Sequence, residues 1–243
     1  MKKMLLISNS TNYGENYLGW SIPEIELFAL RNKFSKALFI PYAGVSFSYD
    51  EYEFKVSNAL SKIGIEIKSI HHFEDPVKAV KEAECIMVGG GNTFHLAYMM
   101  HKLNLMEAVR EVVEQGTPYV GWSAGSNLTC PTLRTTNDMP IIMPESFDTL
   151  NLVPFQINPH FLDPNPAMDE MMKHGGETRA DRIEEFTTLH QDITVVGLRE
   201  GCSLLVEGKK MTLRGGRPLI ILKHNQKVEE LAPYTDISHL LEL

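Results

Sequence analysis

Gly121-Trp122-Ser123-Ala124-Gly125 follows directly on the apolar run Tyr119–Trp122. A G-x-S-x-G pentapeptide between a strand and a helix forces a sharp turn that exposes the serine hydroxyl at the edge of a sheet. Ser123 is therefore a candidate nucleophile. The flanking glycines let neighbouring backbone come close without clashing. The Ala124 N–H falls where the helix would begin, placed to donate to an oxyanion. The plain alternative is a glycine-rich turn whose serine only caps a helix.

A second glycine cluster, Gly89-Gly90-Gly91-Asn92-Thr93, also follows an apolar run and precedes a helix-like segment. Three glycines leave backbone N–H groups open toward the sheet edge. Gly91 is the candidate for a second oxyanion donor, and Asn92 beside it for a substrate contact. The same loop could cradle a small anion. Its spacing is neither GxGxxG nor GxxxxGK[ST], so no nucleotide cofactor is expected.

A serine nucleophile needs a base with a pKa near neutral, and histidine supplies one. Among nine histidines His160, in Ile157-Asn158-Pro159-His160-Phe161, stands at the end of an apolar run. That is where open α/β sheets place their sites. Two carboxylates compete to orient it. Glu200 directly follows the run Thr194–Leu198 and points to the same sheet edge, whereas Asp138 lies in the polar loop Thr135–Pro140. Asp138 gives the chain order Ser–Asp–His and Glu200 gives Ser–His–Glu. Both orders occur among such triads, so strand-end placement, which favours Glu200, is the argument available. Asp138 could instead simply bond its own loop backbone.

The elements that must position these residues alternate. Apolar runs at Met4–Ser8, Ala37–Pro41, Glu66–Ile70, Cys85–Val88, Tyr119–Trp122, Val153–Ile157 and Thr194–Leu198 are nearly continuous, as in strands buried on both faces. Between them Ile22–Phe34, Tyr49–Ile63, Pro76–Ala83, Thr93–Leu103, Met106–Gln115 and Thr178–Leu189 carry helical spacing, with a capping box at Thr178 and Asp181. This pattern predicts a three-layer α/β/α sandwich on a mostly parallel sheet. Ser203–Glu207, Lys210–Leu213 and Pro218–Leu222, separated by glycines, read as antiparallel strands at the sheet's C-terminal edge. No repeat or linker interrupts residues 1–243, so one domain is expected.

Bulk properties narrow the chemistry further. The net charge is −8 with 23 Lys and Arg against 31 Asp and Glu, and no basic block occurs. Nucleic acid and anionic membranes are therefore not expected partners. An anionic substrate would need a local cation, because the field of the whole chain repels it. Cys85, Cys130 and Cys202 are widely spaced with no CxxC pair, so buried thiols in a reducing compartment are expected rather than zinc or disulfides. The N-terminal apolar run is too short for a signal peptide, and no run approaches the roughly 18 residues of a transmembrane helix. A cytoplasmic location is expected.

Eight blocks together resemble one family. They are Ser8–Thr11, Ile40–Gly44, Gly89–Phe94, Gly121–Gly125, Arg134–Pro140, Ile157–Phe161, Gly176-Glu177-Thr178-Arg179 and Gly197-Leu198-Arg199-Glu200-Gly201. In order and without large gaps, from about residue 4 to residue 207, they are similar to the peptidase E (α-aspartyl dipeptidase) family of serine peptidases. The resemblance implies a flavodoxin-like sandwich related to the class I glutamine amidotransferases, with serine in place of their cysteine. It implies cleavage of dipeptides with an N-terminal aspartate, needing no metal or organic cofactor. Ser123 and His160 match the family's nucleophile and base. Asp138 and Glu200 both fall on positions proposed for the triad acid, and the family's fold favours the glutamate. Arg179 falls on the arginine taken to hold the substrate's aspartyl side chain, a role that suits a guanidinium's two parallel hydrogen bonds. Two other readings use the same motifs: a cyanophycinase-like hydrolase of aspartyl–arginine material, and a non-catalytic module whose Gly89–Asn92 loop binds a small anion.

Overall fold

The structure, a computed structural model, describes residues 1–163 and 177–243; Gly176 lies outside the described residues. Five parallel strands make up one side of a seven-stranded sheet, with β3 at its edge: β1 (Lys3–Ile7), β2 (Lys36–Ile40), β3 (Glu66–Ser69), β4 (Ile86–Val88) and β5 (Tyr119–Trp122). Their order is β3-β2-β4-β5-β1, and β8 (Cys202–Glu207) and β9 (Lys210–Gly215) extend it antiparallel beyond β1. Among the described residues the α-helices are α1 (Ile22–Asn32), α2 (Tyr49–Leu60), α3 (Pro76–Lys81), α4 (Thr93–Lys102), α5 (Leu105–Gln115), the short α6 (Ala124–Asn127) and α7 (Arg179–Leu189).

Side chains alternate across each strand, and here the alternation divides the core. Leu5, Ile7, Phe39, Met87 and Trp122 join α1 and α2 through Ile25, Phe28, Val56 and Leu60. Met4, Leu6, Leu38, Ile40, Ile86 and Val88 face the opposite way and meet α3, α4 and α5 through Val80, Leu96, Met100, Val109 and Val113. Both faces of the sheet are thus covered by helices, which is why these strands read as unbroken apolar runs. The local signals hold as well. Ser48 and Glu51 close a capping box on α2, and Thr178 and Asp181 close another on α7.

The structure departs from the expected single sheet in one respect. β6 (Gln156–Phe161) and β7 (Val195–Arg199) pair in parallel with each other and not with the main sheet. β10 (Leu219–Leu222) and β11 (Glu229–Leu231) add to β7 antiparallel, completing a second, four-stranded sheet in the order β11-β10-β7-β6. The segment expected at the C-terminal edge of the main sheet therefore splits, β8 and β9 staying there and β10 leaving. The reason the sequence misleads is physical. Ile157, Val196, Leu198, Leu219 and Ile221 enter the main core, while Val195, Phe161 and Ile220 pack against Ile183 of α7. A continuous apolar run reports burial on both faces and is silent on which sheet the strand joins. β6 also begins later than the apolar run from Val153 suggests. All three cysteines are buried, and among the described residues no helix is long and apolar enough to cross a membrane.

Candidate active site

The two sheets meet where β7 hands the chain to β8, and the sequence-derived site residues gather there. Ser123 lies between β5 and α6 with φ 53° and ψ −111°, a conformation that costs a non-glycine residue about 1–3 kcal/mol. Its N–H donates to the Ile7 carbonyl at 3.0 Å, while the N–H groups of Ser126 and Asn127 donate back to its own carbonyl at 2.9 and 3.0 Å. The chain is thus held as a strand on one side of Ser123 and as a helix on the other. Gly125 makes so abrupt a turn possible, since a Cβ there would run into the Val88 carbonyl.

His160 belongs to the second sheet. Pro159 is paired with Leu198 and the next pair is Phe161 with Arg199, so His160 is an extra, bulged residue with φ 53°. A bulge re-aims a side chain out of the strand's alternation. The freed backbone is tied down by a buried serine: His160 N–H donates to Ser8 Oγ at 3.0 Å, and Ser8 Oγ donates to the Leu198 carbonyl at 2.7 Å. The imidazole then spans two partners, with Nε2 3.0 Å from Ser123 Oγ and Nδ1 2.6 Å from Glu200 Oε1. Glu200 stands in the turn between β7 and β8, where Asn9 Oδ1 accepts the Gly201 N–H at 2.8 Å.

Asp138 is bonded elsewhere. Its Oδ2 accepts from the Thr93 N–H at 2.7 Å, from Thr93 Oγ1 at 2.6 Å and from Thr136 Oγ1 at 3.0 Å. The carboxylate sits at the N-terminus of α4, where the helix dipole favours negative charge. Asn92 caps the same helix by accepting the His95 N–H and reaches across with Nδ2 to the Met139 carbonyl at 2.9 Å. Asp138 and Asn92 thus join the Thr135–Pro140 loop to α4.

The Gly89–Gly91 loop lies against the serine, a Cβ on Gly90 falling 3.0 Å from that of Ser123. At Gly91 the backbone has φ 136° and a Cβ would overlap the Ala43 carbonyl, so only glycine fits. Tyr52 Oη donates to the Gly90 carbonyl at 2.8 Å. Carbonyl and N–H of a trans peptide point in opposite directions, so this bond fixes where the Gly91 N–H aims. Burial pushes the Tyr52 hydroxyl up to about 12, which keeps it a donor at neutral pH. Tyr17 receives the Trp122 indole N–H at 3.0 Å and donates to Tyr52 at 3.3 Å, extending the support. The Ala124 N–H opens α6 immediately after Ser123.

Ser123, His160, Glu200, Asp138, Gly91 and Arg179 all line one cavity of about 550 Å³. Arg179, the first residue of α7, has its basicity lowered by burial and by Arg182, against the raising influence of Glu200 and Asp138. Tyr17, Phe47, Tyr52, Lys55 and Leu162 line the same cavity and escaped the sequence reading. Tyr17 and Tyr52 carry no motif, and Lys55, whose ammonium lies 4.2 Å from the centre of the Tyr17 ring, looks like any lysine on a helix.

This geometry can be set beside known proteins. The family model described as "Peptidase family S51" matches residues 4–214. Peptidase E of a Nostoc species is 46% identical over 244 residues, covering 99% of this chain and 97% of that protein. Peptidase E of Shewanella baltica is 44% identical over 238 residues, covering 98% of both. A crystal structure of a peptidase from an acI-B1 Actinobacterium superposes with a TM-score of 0.65 at 18% identity, covering 98% of this chain and 96% of that one, which supports the fold. With a family match over nearly its whole length and relatives this similar, the chain belongs to peptidase family S51 and is a peptidase.

Proposed function

We propose that this peptidase is a serine dipeptidase that cleaves Asp-Xaa dipeptides through an acyl-enzyme on Ser123. The observation that carries the reading is the imidazole of His160, within hydrogen-bonding distance of Ser123 Oγ through Nε2 and of Glu200 through Nδ1. In this mechanism His160 takes the Ser123 proton as Oγ attacks the peptide carbonyl carbon. Glu200 holds the ring in the tautomer that leaves Nε2 free to accept it and stabilises the imidazolium. The N–H groups of Gly91 and Ala124 receive the developing oxyanion. The C–N bond then breaks, His160 returns the proton to the leaving amine, and water, deprotonated by the same ring, hydrolyses the aspartyl ester.

Local charge supports this substrate class. Among the described lining residues two carry a positive charge at neutral pH, Lys55 and Arg179, in a chain of net charge −8. An Asp-Xaa dipeptide brings two carboxylates, one on its first side chain and one at its C-terminus. Arg179, half-buried at the mouth of α7, is the partner for the aspartyl carboxylate. The cavity's volume of about 550 Å³ suits a ligand of dipeptide size. Hydrolysis of an Asp-Xaa panel, with Ser123→Ala as control, tests the reading. Wild type should release free aspartate, and Ser123→Ala should lower kcat about 10⁴- to 10⁶-fold while remaining folded. Near-full activity in folded Ser123→Ala would reject the mechanism, and preference for aspartyl–arginine polymers would redirect the substrate.

A further inference from the structure

A second set of chemistry-bearing side chains lies outside the cavity. Asp50 and Glu53, three residues apart on α2, share one helix face. β3 ends at Ser69, and the 3₁₀ turn Ile70–His72 brings His71 and His72 against that face. One donor atom from each of the four side chains lies within 4.8 Å of the other three. The closest pairs are His72 Nε2 with Glu53 Oε2 at 2.6 Å, His71 Nε2 with Asp50 Oδ1 at 3.0 Å and His72 Nε2 with that same oxygen at 3.6 Å. A tetrahedral ion with bonds of about 2.0–2.1 Å separates its donor atoms by about 3.3 Å, so these spacings bracket what an ion requires.

The outer atoms are committed in a way that leaves the inner ones for a shared partner. The N–H of buried Ser69 donates to Glu53 Oε1 at 2.6 Å, which directs Oε2 to the cluster. Ser69 Oγ lies 2.6 Å from His71 Nδ1, which directs Nε2 there. Metal-binding imidazoles are oriented in this manner by a hydrogen bond on their other nitrogen. If an ion took Nε2 of a neutral His71, the ring proton would reside on Nδ1 with Ser69 Oγ as acceptor. The two rings lie side by side with centroids 3.9 Å apart, where two imidazolium charges would repel. A single cation between neutral rings and two carboxylates removes that repulsion.

We propose that Asp50, Glu53, His71 and His72 bind one divalent transition-metal ion of the zinc class. Two imidazole nitrogens and two carboxylate oxygens suit zinc better than magnesium or calcium, which favour all-oxygen sets. The protein fills all four positions and none of the four residues lines the cavity. The ion therefore clips the first turn of α2 to the end of β3 and takes no part in hydrolysis. Titrating tag-free protein with CoCl₂ tests this. One equivalent should bind with the visible absorption of four-coordinate cobalt, ZnCl₂ should bleach it, and Tm should rise with either ion. His71→Ala and Asp50→Asn, each with unchanged circular dichroism, should weaken binding at least about tenfold, because losing a ligand of a four-donor site is costly. If His71→Ala does not fold, the more exposed His72→Ala is read in its place. Failure of wild type to bind one equivalent, or wild-type affinity in the variants, overturns the proposal.

Discussion

Glu200 and Asp138 stand in the wall of one cavity, yet their surroundings set them different tasks. Asp138 receives three hydrogen bonds on one oxygen from Thr93 and Thr136, which spends the carboxylate on holding a loop to a helix. Glu200 places one oxygen 2.6 Å from His160 Nδ1, and its turn is held from outside by Asn9. Sharing a cavity does not make two carboxylates equivalent. What separates them is whether their acceptor atoms are already committed to the fold.

The sharpest way to break this comparison is to neutralise each carboxylate in turn. Glu200→Gln should lower kcat by up to about 10⁴-fold, the scale on which a triad's orienting carboxylate acts. Asp138→Asn should cost at least about tenfold less in kcat. Its effect should appear in Tm, because removing charge from the α4 N-terminus and weakening its bonds is worth about 1–2 kcal/mol. Steady-state kinetics and thermal melts on both folded variants decide the order. If Asp138→Asn is the more damaging in kcat, the two assignments exchange.

A next smaller effect concerns Arg179. Arg179→Ala should reduce kcat/KM for Asp-Leu by about 2–5 kcal/mol, roughly 30- to 5,000-fold, and should narrow the gap between Asp-Leu and Asn-Leu. The four kcat/KM values form a cycle between residue and substrate. A coupling energy within error of zero would remove Arg179 from the specificity pocket. Arg179→Lys should restore only part of the loss, since an ammonium lacks the two-pronged geometry.

Tyr52 should show the smallest effect. Tyr52→Phe leaves the Gly91 N–H in place but frees the peptide that aims it. The expected loss is about tenfold in kcat with KM little changed, below the 10²–10³ of deleting an oxyanion donor outright. An equal fall in kcat and rise in KM would mean that Tyr52 shapes the cavity and does not orient the donor.

The same two carboxylates show where sequence reading succeeds and where it stops. The Ser123 turn is legible because glycines mark it: Gly125 must pass the Val88 carbonyl, and nothing larger fits. The parallel strands and the Thr178–Asp181 box are legible because burial on two faces and helix capping each write a local pattern. His160 is found by its place after an apolar run, but its bulge is not, since an extra residue in one strand leaves no mark without its partner strand. The split into two sheets is hidden for a similar reason: β10 and β7 pair through backbone groups common to every residue. Strand-end placement favours Glu200 over Asp138, but what commits Asp138 is hidden, because its partner Thr93 lies on the far side of the nucleophile in sequence. The Tyr52 bond to Gly90 and the histidine–carboxylate cluster between α2 and the turn after β3 likewise exist only once the chain is folded.

The central claim is that Ser123 is the nucleophile of an Asp-Xaa dipeptidase, and active-site labelling tests it most directly. A serine-directed fluorophosphonate should add one adduct per chain, located at Ser123 by peptide mapping. Excess Asp-Leu should slow the labelling, and His160→Ala should slow it by several orders of magnitude, because the hydroxyl then lacks its base. No adduct, an adduct on another residue, or labelling indifferent to both Asp-Leu and His160 would contradict the account.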